Sequence, residues 1–186
     1  MTPAPPTAPP AGRSTSALDE VAGLAAAYAR SRTAADLDRL RDAVRRSPGF
    51  DPGLDVTTVV RPLLAAGRHA EVVAAVRDLM PGAFLSPSAH LALATAHDGL
   101  GDAERAGIER GRAWLALASI ASTGDGAPEH PVSVLRVSDE YDVLRSRGLR
   151  PAGQRTVTRG GRDLDVLHCS DGSDLWFDVT ALRVRG

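Results

Sequence analysis

The acidic run Asp139, Glu140 and Asp142 surrounds Tyr141. Carboxylates gathered this closely can bind a cation or move a proton. Acids in the first turn of a helix are also favoured by its dipole, which accounts for Asp139 and Glu140 without a ligand. Tyr141 reads either as a core anchor whose hydroxyl finds one partner or as a ligand contact. Two more carboxylates, Asp165 and Asp178, fall on consecutive strand-like segments. If Asp171-Gly172 closes a two-residue hairpin, they stand directly opposite each other on the face away from the core, beside Trp176. Opposed like charges are destabilising. Such a pair can bind a cation, share a proton or act as an acid/base dyad; the plainer reading is two solvated carboxylates. The face bearing Trp176, Asp165 and Asp178 is thus a candidate contact surface. Gly124-Asp125-Gly126 completes the set. A glycine-rich turn can offer amides to a phosphate, or hold a cation, but the spacing is not that of a P-loop or a dinucleotide fingerprint, and a helix stop followed by a turn explains it.

Other chemistries lack their residues. His90 and His97 lie seven apart, two helical turns, and no HExxH occurs. His168 adjoins the single Cys169 without a second ligand pair, and one cysteine permits no internal disulfide. There is no GxSxG, and no serine has an evident base partner. The sequence therefore assigns no catalytic residue, no metal ligand and no cofactor, and the expectation is a protein that is not an enzyme.

The elements that position these residues follow from composition and punctuation. Aromatics make up only 4% of the 186 residues within an ordinary 43% hydrophobic content, so Ala, Val and Leu must build the core. Formal charge is -1, and the 22 basic residues are all arginine, a bias that suggests GC-rich coding more than a guanidinium-rich binding surface. Nucleic acid and membrane are not expected partners. Residues 1–15 hold five prolines and no large apolar side chain, predicting a disordered spacer without the features of a signal peptide. A single domain is expected over residues 16–186, helical to 122 and β-rich from 123.

Six helices are predicted. Ser16 caps the first, to about Arg30, and Thr33 caps the second, with Leu37, Leu40 and Val44 inward and Arg41, Arg45 and Arg46 facing water. Asp55 opens the third, Ala70 to Met80 form the fourth, Ser86-Pro87 start the fifth, and Asp102 caps the sixth, which runs to about Ser122. Gly67 and Gly101 stand in matching turns 34 residues apart, the tetratricopeptide period, so two to three hairpins are expected to stack. From Ala113 to Ala121 the sixth helix is apolar nearly all round. It is expected to be covered on every side, by the fifth helix and then by the sheet. Gly124 suits a C′ position. Val132 to Val137 read as a strand, Ser138 as the cap of a short helix stopped at Gly148, and Gln154 to Thr180 as two hairpins turning at Gly160-Gly161 and Asp171-Gly172. In that register Val157, Leu164, Val166, Phe177 and Val179 share the core face. The fold class is α+β, helical hairpins packed on a small, mostly antiparallel β-α-β-β-β sheet.

Several of these segments together resemble a known family: Thr123-Gly124-Asp125-Gly126, Val134 to Leu144 (VLRVSDEYDVL), the strand containing Gln154, Leu164 to Leu167 (LDVL) and Leu175 to Val179 (LWFDV). They are similar to the bacterial family catalogued as domain of unknown function 4919, over roughly Leu24 to Val179. The chain departs from its pattern with Asp139 where Glu is common, and by ending soon after Val179. The resemblance implies tetratricopeptide-like hairpins joined to a small C-terminal sheet and brings no chemistry with it. The resulting expectation is a cytoplasmic, non-catalytic interaction module with another protein as partner. The alternative is a regulatory protein binding a small ligand or cation where the sixth helix meets the Gly124-Asp125-Gly126 turn.

Overall fold

Local capping sets the helix boundaries in the structure, a computed structural model that describes residues 11–183, with side chains from 16 to 182. The helices are α1 (Ala11–Ser31), α2 (Ala34–Arg46), α3 (Val56–Ala65), α4 (His69–Asp78), α5 (Pro87–Gly99) and α6 (Ala103–Ala121). Thr33 accepts from the Asp36 amide, Asp55 from those of Thr57 and Thr58, Ser86 from Ala89, and Asp102 from Arg105, satisfying amides that have no partner within the helix. Two boundaries differ most from expectation, and the first is that α4 stops at Asp78 rather than Met80. The second is that helix α1 starts at Ala11, within the proposed tail, because the prolines end at Pro10 and nothing after it interrupts a helix. The rest of the proposed tail lies outside the described residues.

Three antiparallel pairs result. The turns at Gly67 and Gly101 both need positive φ, 67° and 78°, which glycine adopts without strain. Helices α3, α4 and α5 close around Val56, Val60, Val72, Val76, Ala89 and Ala96. The α1/α2 pair encloses a second core with Leu85 and Ala116. It does not lie on α3 as α4 lies on α5.

Beyond α6 come β1 (Val132–Ser133), α7 (Val137–Ser146), β2 (Pro151–Arg159), β3 (Arg162–Cys169), β4 (Asp174–Asp178) and α8 (Thr180–Arg183). The sheet order is β1-β4-β3-β2; β1 runs parallel to β4 and the other pairs are antiparallel, so the molecule is α+β. Its core joins Ile120 of α6 to Val132, Leu144, Leu167 and Phe177. The α6 spine thus contributes to two of the three cores, through Ala116 and Ile120, but it is not covered all round. Trp114 is 63% exposed, because the sheet packs only on the last turns of the helix.

Three further expectations are corrected. The first strand stops at Ser133 instead of reaching Val137. Asp139 Oδ2 accepts from the amides of Leu135 and Arg136, 3.0 Å each, and so starts a helix where the strand was to continue. Arg136 rather than Ser138 occupies the N-cap position, and Ser138 Oγ donates to the Leu54 carbonyl instead. The β3/β4 register also moves by one residue. Three residues, not two, form the turn, with Gly172 at φ 88° and the Cys169 amide donating to the Ser173 carbonyl at 2.8 Å. Asp165 therefore faces Phe177, and Leu164 faces Asp178. A one-residue slip exchanges the two faces of a strand. Asp165 joins Leu167 and Phe177 on the inner face, while Leu164 and Val166 share the other with Trp176 and Asp178.

The helix stop at Gly148 follows expectation. Its φ is 69°, its amide donates to the Arg145 carbonyl, and the Leu149 amide reaches back to Leu144, the paired bonds of a Schellman stop. Among the described residues no helix is long and apolar enough to cross a membrane.

Candidate functional site

Arg41 is the residue around which a site forms. It follows Leu37 by four positions and precedes Val44 by three, so it lies in the apolar stripe of α2 and is carried inward with it. Only 3% of it is exposed. Nη2 donates to the Ser133 carbonyl at 3.2 Å and to Ser133 Oγ at 2.9 Å, whereas Nη1 has no partner among the described residues. It forms no ion pair among the described residues, although the charges of Asp139, Asp38 and Asp42 act on it from farther off. Burial, then the charge of Arg45, pushes its pKa down to about 10, so it remains cationic at neutral pH.

Arg41 lines a cavity of about 480 Å³ between the α1/α2 turn, the end of α6 and β1. Hydroxyls surround it. Tyr28 Oη and Ser122 Oγ lie 3.3 Å apart, and Thr123 Oγ1 accepts from the Ser133 amide at 2.8 Å. Arg32 and Arg45 reach the rim, with Asp38 the one carboxylate lining it. Arg45 is paired with Asp42 at 3.0 Å outside. The Arg32 guanidinium rests over the rings of both Tyr28, 5.5 Å, and Trp114, 5.1 Å, although its own backbone is held at φ 53°. The arrangement suits a bound oxyanion, because forked cationic donors and hydroxyls converge on one space.

A second polar cluster lies on α7. Arg136, Asp139 and Glu140 are fully buried, and Asp142 is nearly so. Asp142 accepts from the Ser88 amide and hydroxyl, at 3.1 and 2.6 Å, tying α7 to the start of α5. Neither oxygen of Glu140 has a hydrogen-bond partner among the described residues. Burial, then the negative charges of Asp165 and Asp139, raises its pKa to about 8, so it is largely protonated at neutral pH. Burial likewise lifts Asp139 to about 6, with Arg136 opposing.

The residues singled out from sequence do not converge. Asp165 is buried, accepting from Gln154 Nε2 at 3.0 Å and Thr156 Oγ1 at 2.6 Å. Asp178, on the other face, accepts from the Thr180 amide and stands 3.8 Å from Arg162. The proposed Asp165/Asp178 pairing is therefore absent. Trp176 lies against Val166, under the Arg155 guanidinium at 5.6 Å. Tyr141 is 37% exposed rather than a core anchor, and its hydroxyl donates to Gln154 Oε1 at 3.0 Å.

The turn at Gly124, Asp125 and Gly126 is committed to structure. A side chain at Gly124 would meet the Pro131 carbonyl oxygen at 2.4 Å, so glycine is needed there for close approach and not for positive φ. Asp125 Oδ1 holds the Ala127 amide, while the Gly126 amide donates to His130 and its carbonyl accepts from Trp176. Those amides are taken. The cavity beside Arg41 lies next to this turn, and Ser122, Thr123 and Ser133 are among the residues that line it. Arg41 was the missed residue, and its place in the apolar stripe was the available signal.

His90 and His97 are separately buried. His90 bridges the Phe84 carbonyl, 2.7 Å from Nε2, and Glu109, 2.6 Å from Nδ1. Among the described residues no group of three His, Cys, Asp or Glu side chains is placed to hold a metal ion. No protein-family profile, curated protein or solved structure matches the chain.

Proposed function

We propose that the chain is a non-catalytic protein-interaction module, its tetratricopeptide-like hairpins presenting a groove to an apolar segment of a partner protein. The observation that carries this reading is Trp114, 63% exposed midway along the spine helix. With Pro87, Leu91, Ala113 and Leu117 it lines a cleft of about 320 Å³. An exposed tryptophan beside aliphatic neighbours is the composition of an interface anchor point. Arg110 and Arg145 flank the cleft, each held on one side by an acid (Asp98 and Asp142) and more than half exposed on the other. That rim favours a partner segment with an apolar anchor and acidic flanks. A cytoplasmic location and kinship with the family resembling this chain belong to the same proposal, and rest on the sequence features that suggested them.

Trp114→Glu tests it. Because the ring is mostly solvated, the melting temperature should hold within about 2 °C. Binding of a partner identified with the native chain should fall at least tenfold, measured with purified proteins. Undiminished affinity would remove the groove from consideration.

A further inference from the structure

We infer that the cavity floored by Arg41 is an oxyanion site that takes the phosphate group of a small molecule. The inference concerns a different cavity from the groove, the two touching only where Arg32 rests over the Trp114 ring. A buried guanidinium ordinarily sits against a carboxylate, since removing a lone charge from water costs several kcal/mol. Here Arg41 is 3% exposed, satisfies one nitrogen on Ser133, and leaves Nη1 without a partner among the described residues. Asp139, Asp38 and Asp42 act on its charge without forming an ion pair with it, which leaves room for a closer counter-charge. The space beside Arg41 measures about 480 Å³, larger than a lone phosphate needs, and admits the organic body that carries it.

Phosphate fits the donor set better than a planar carboxylate does. Its tetrahedral oxygens can meet the Arg41 floor, Arg32 and Arg45 at the rim, and the Ser133 hydroxyl, which accepts from Arg41 and keeps its own proton to donate, from different directions. The N-terminus of α2, capped by Thr33, opens onto the same cavity and adds a favourable dipole. Asp38 at the rim disfavours any anion that spreads to that side. Arg32, resting on Tyr28, is already placed over the entrance.

The experiment is a thermal-shift and calorimetric titration of the full chain with sodium phosphate and sodium pyrophosphate, against sodium chloride and sodium citrate at equal ionic strength. The expected result is a melting temperature raised by about 3 °C at millimolar phosphate or pyrophosphate, with no such rise in chloride. Arg41→Met should abolish that rise while leaving the unliganded melting temperature unchanged or higher, since an apolar chain of similar length removes a buried charge that makes no ion pair. A purely structural arginine would give the opposite, a lower melting temperature with the phosphate response intact. If Arg41→Met fails to fold, Arg32→Gln with Arg45→Gln, both at the rim, should weaken the phosphate response at least fivefold. No response beyond chloride, a response to citrate alone, or a response that survives the rim variants overturns the assignment.

Discussion

Glu140 is the side chain whose protonation state has the largest consequence for the native chain. Its folded pKa of about 8 lies above the ordinary glutamate value of 4.5. The folded state therefore holds this proton more tightly than the unfolded state does. The stability it contributes is complete below about pH 4.5 and is lost as the pH rises through about 8, by roughly 5 kcal/mol at most. Glu140→Gln keeps the shape and removes the titration. It should raise the melting temperature between pH 7 and 9 and flatten the fall that Glu140 imposes between about pH 4.5 and 8, as followed by circular dichroism across both ranges. A variant that melts earlier than the native chain at pH 9 would show that the buried carboxyl is held by something other than desolvation and its acidic neighbours. Sequence periodicity gave little notice of this burial. Asp139 and Glu140 were explained adequately by the helix dipole, and only the packing of α7 against β3 reveals what else surrounds them.

At the level of elements, α5 and α6 are joined by the His90–Glu109 contact. Burial pushes Glu109 upward, but the His90 hydrogen bond and charge, with Arg112 behind them, bring its pKa below the ordinary value. The contribution is present above about pH 4.5 and lost as the pH falls. Glu109→Gln should cost about 2 kcal/mol at pH 7, read as a lower urea midpoint, with the deficit shrinking toward pH 4. An unchanged midpoint at pH 7 would mean the contact contributes nothing net. The helices themselves were legible in the sequence, because caps such as Thr33, Ser86 and Asp102 and the turn glycines 67 and 101 act locally. The β3/β4 pairing was read one residue out, because whether Asp171-Gly172 closes a two- or three-residue turn depends on the Cys169 amide reaching Ser173, which the residue types alone do not specify. Arg41 escaped for a related reason: an arginine in an apolar stripe is ordinarily expected to snorkel to water, and here the end of α6 and β1 close over it.

Across the whole molecule, α6 and Arg136 bind the helical and β parts into one unit. Arg136 is fully buried, donates to the Gly82 carbonyl between α4 and α5, and stacks over Phe50 at 5.0 Å between α2 and α3. A fragment ending at residue 122 would lose Arg136 and leave Ile120 and Leu117 uncovered. Such a fragment is expected to bind a hydrophobic dye and melt without a sharp transition, whereas the full chain melts in one step. A sharp, dye-free transition in the fragment would establish two independent units.

The two-residue strand that follows this spine has a kinetic consequence. Val132 and Ser133 find their hydrogen-bonded neighbours at Phe177 and Asp178, near the far end of the chain. During synthesis the three helical pairs can close while still close to the exit tunnel, but the seam beside α6 must stay open until the ribosome has released β4. Loop closure over that separation is slow compared with helix formation. A chain stalled before residue 178 would therefore hold its helical body with this seam unsealed, the form in which a chaperone would meet it.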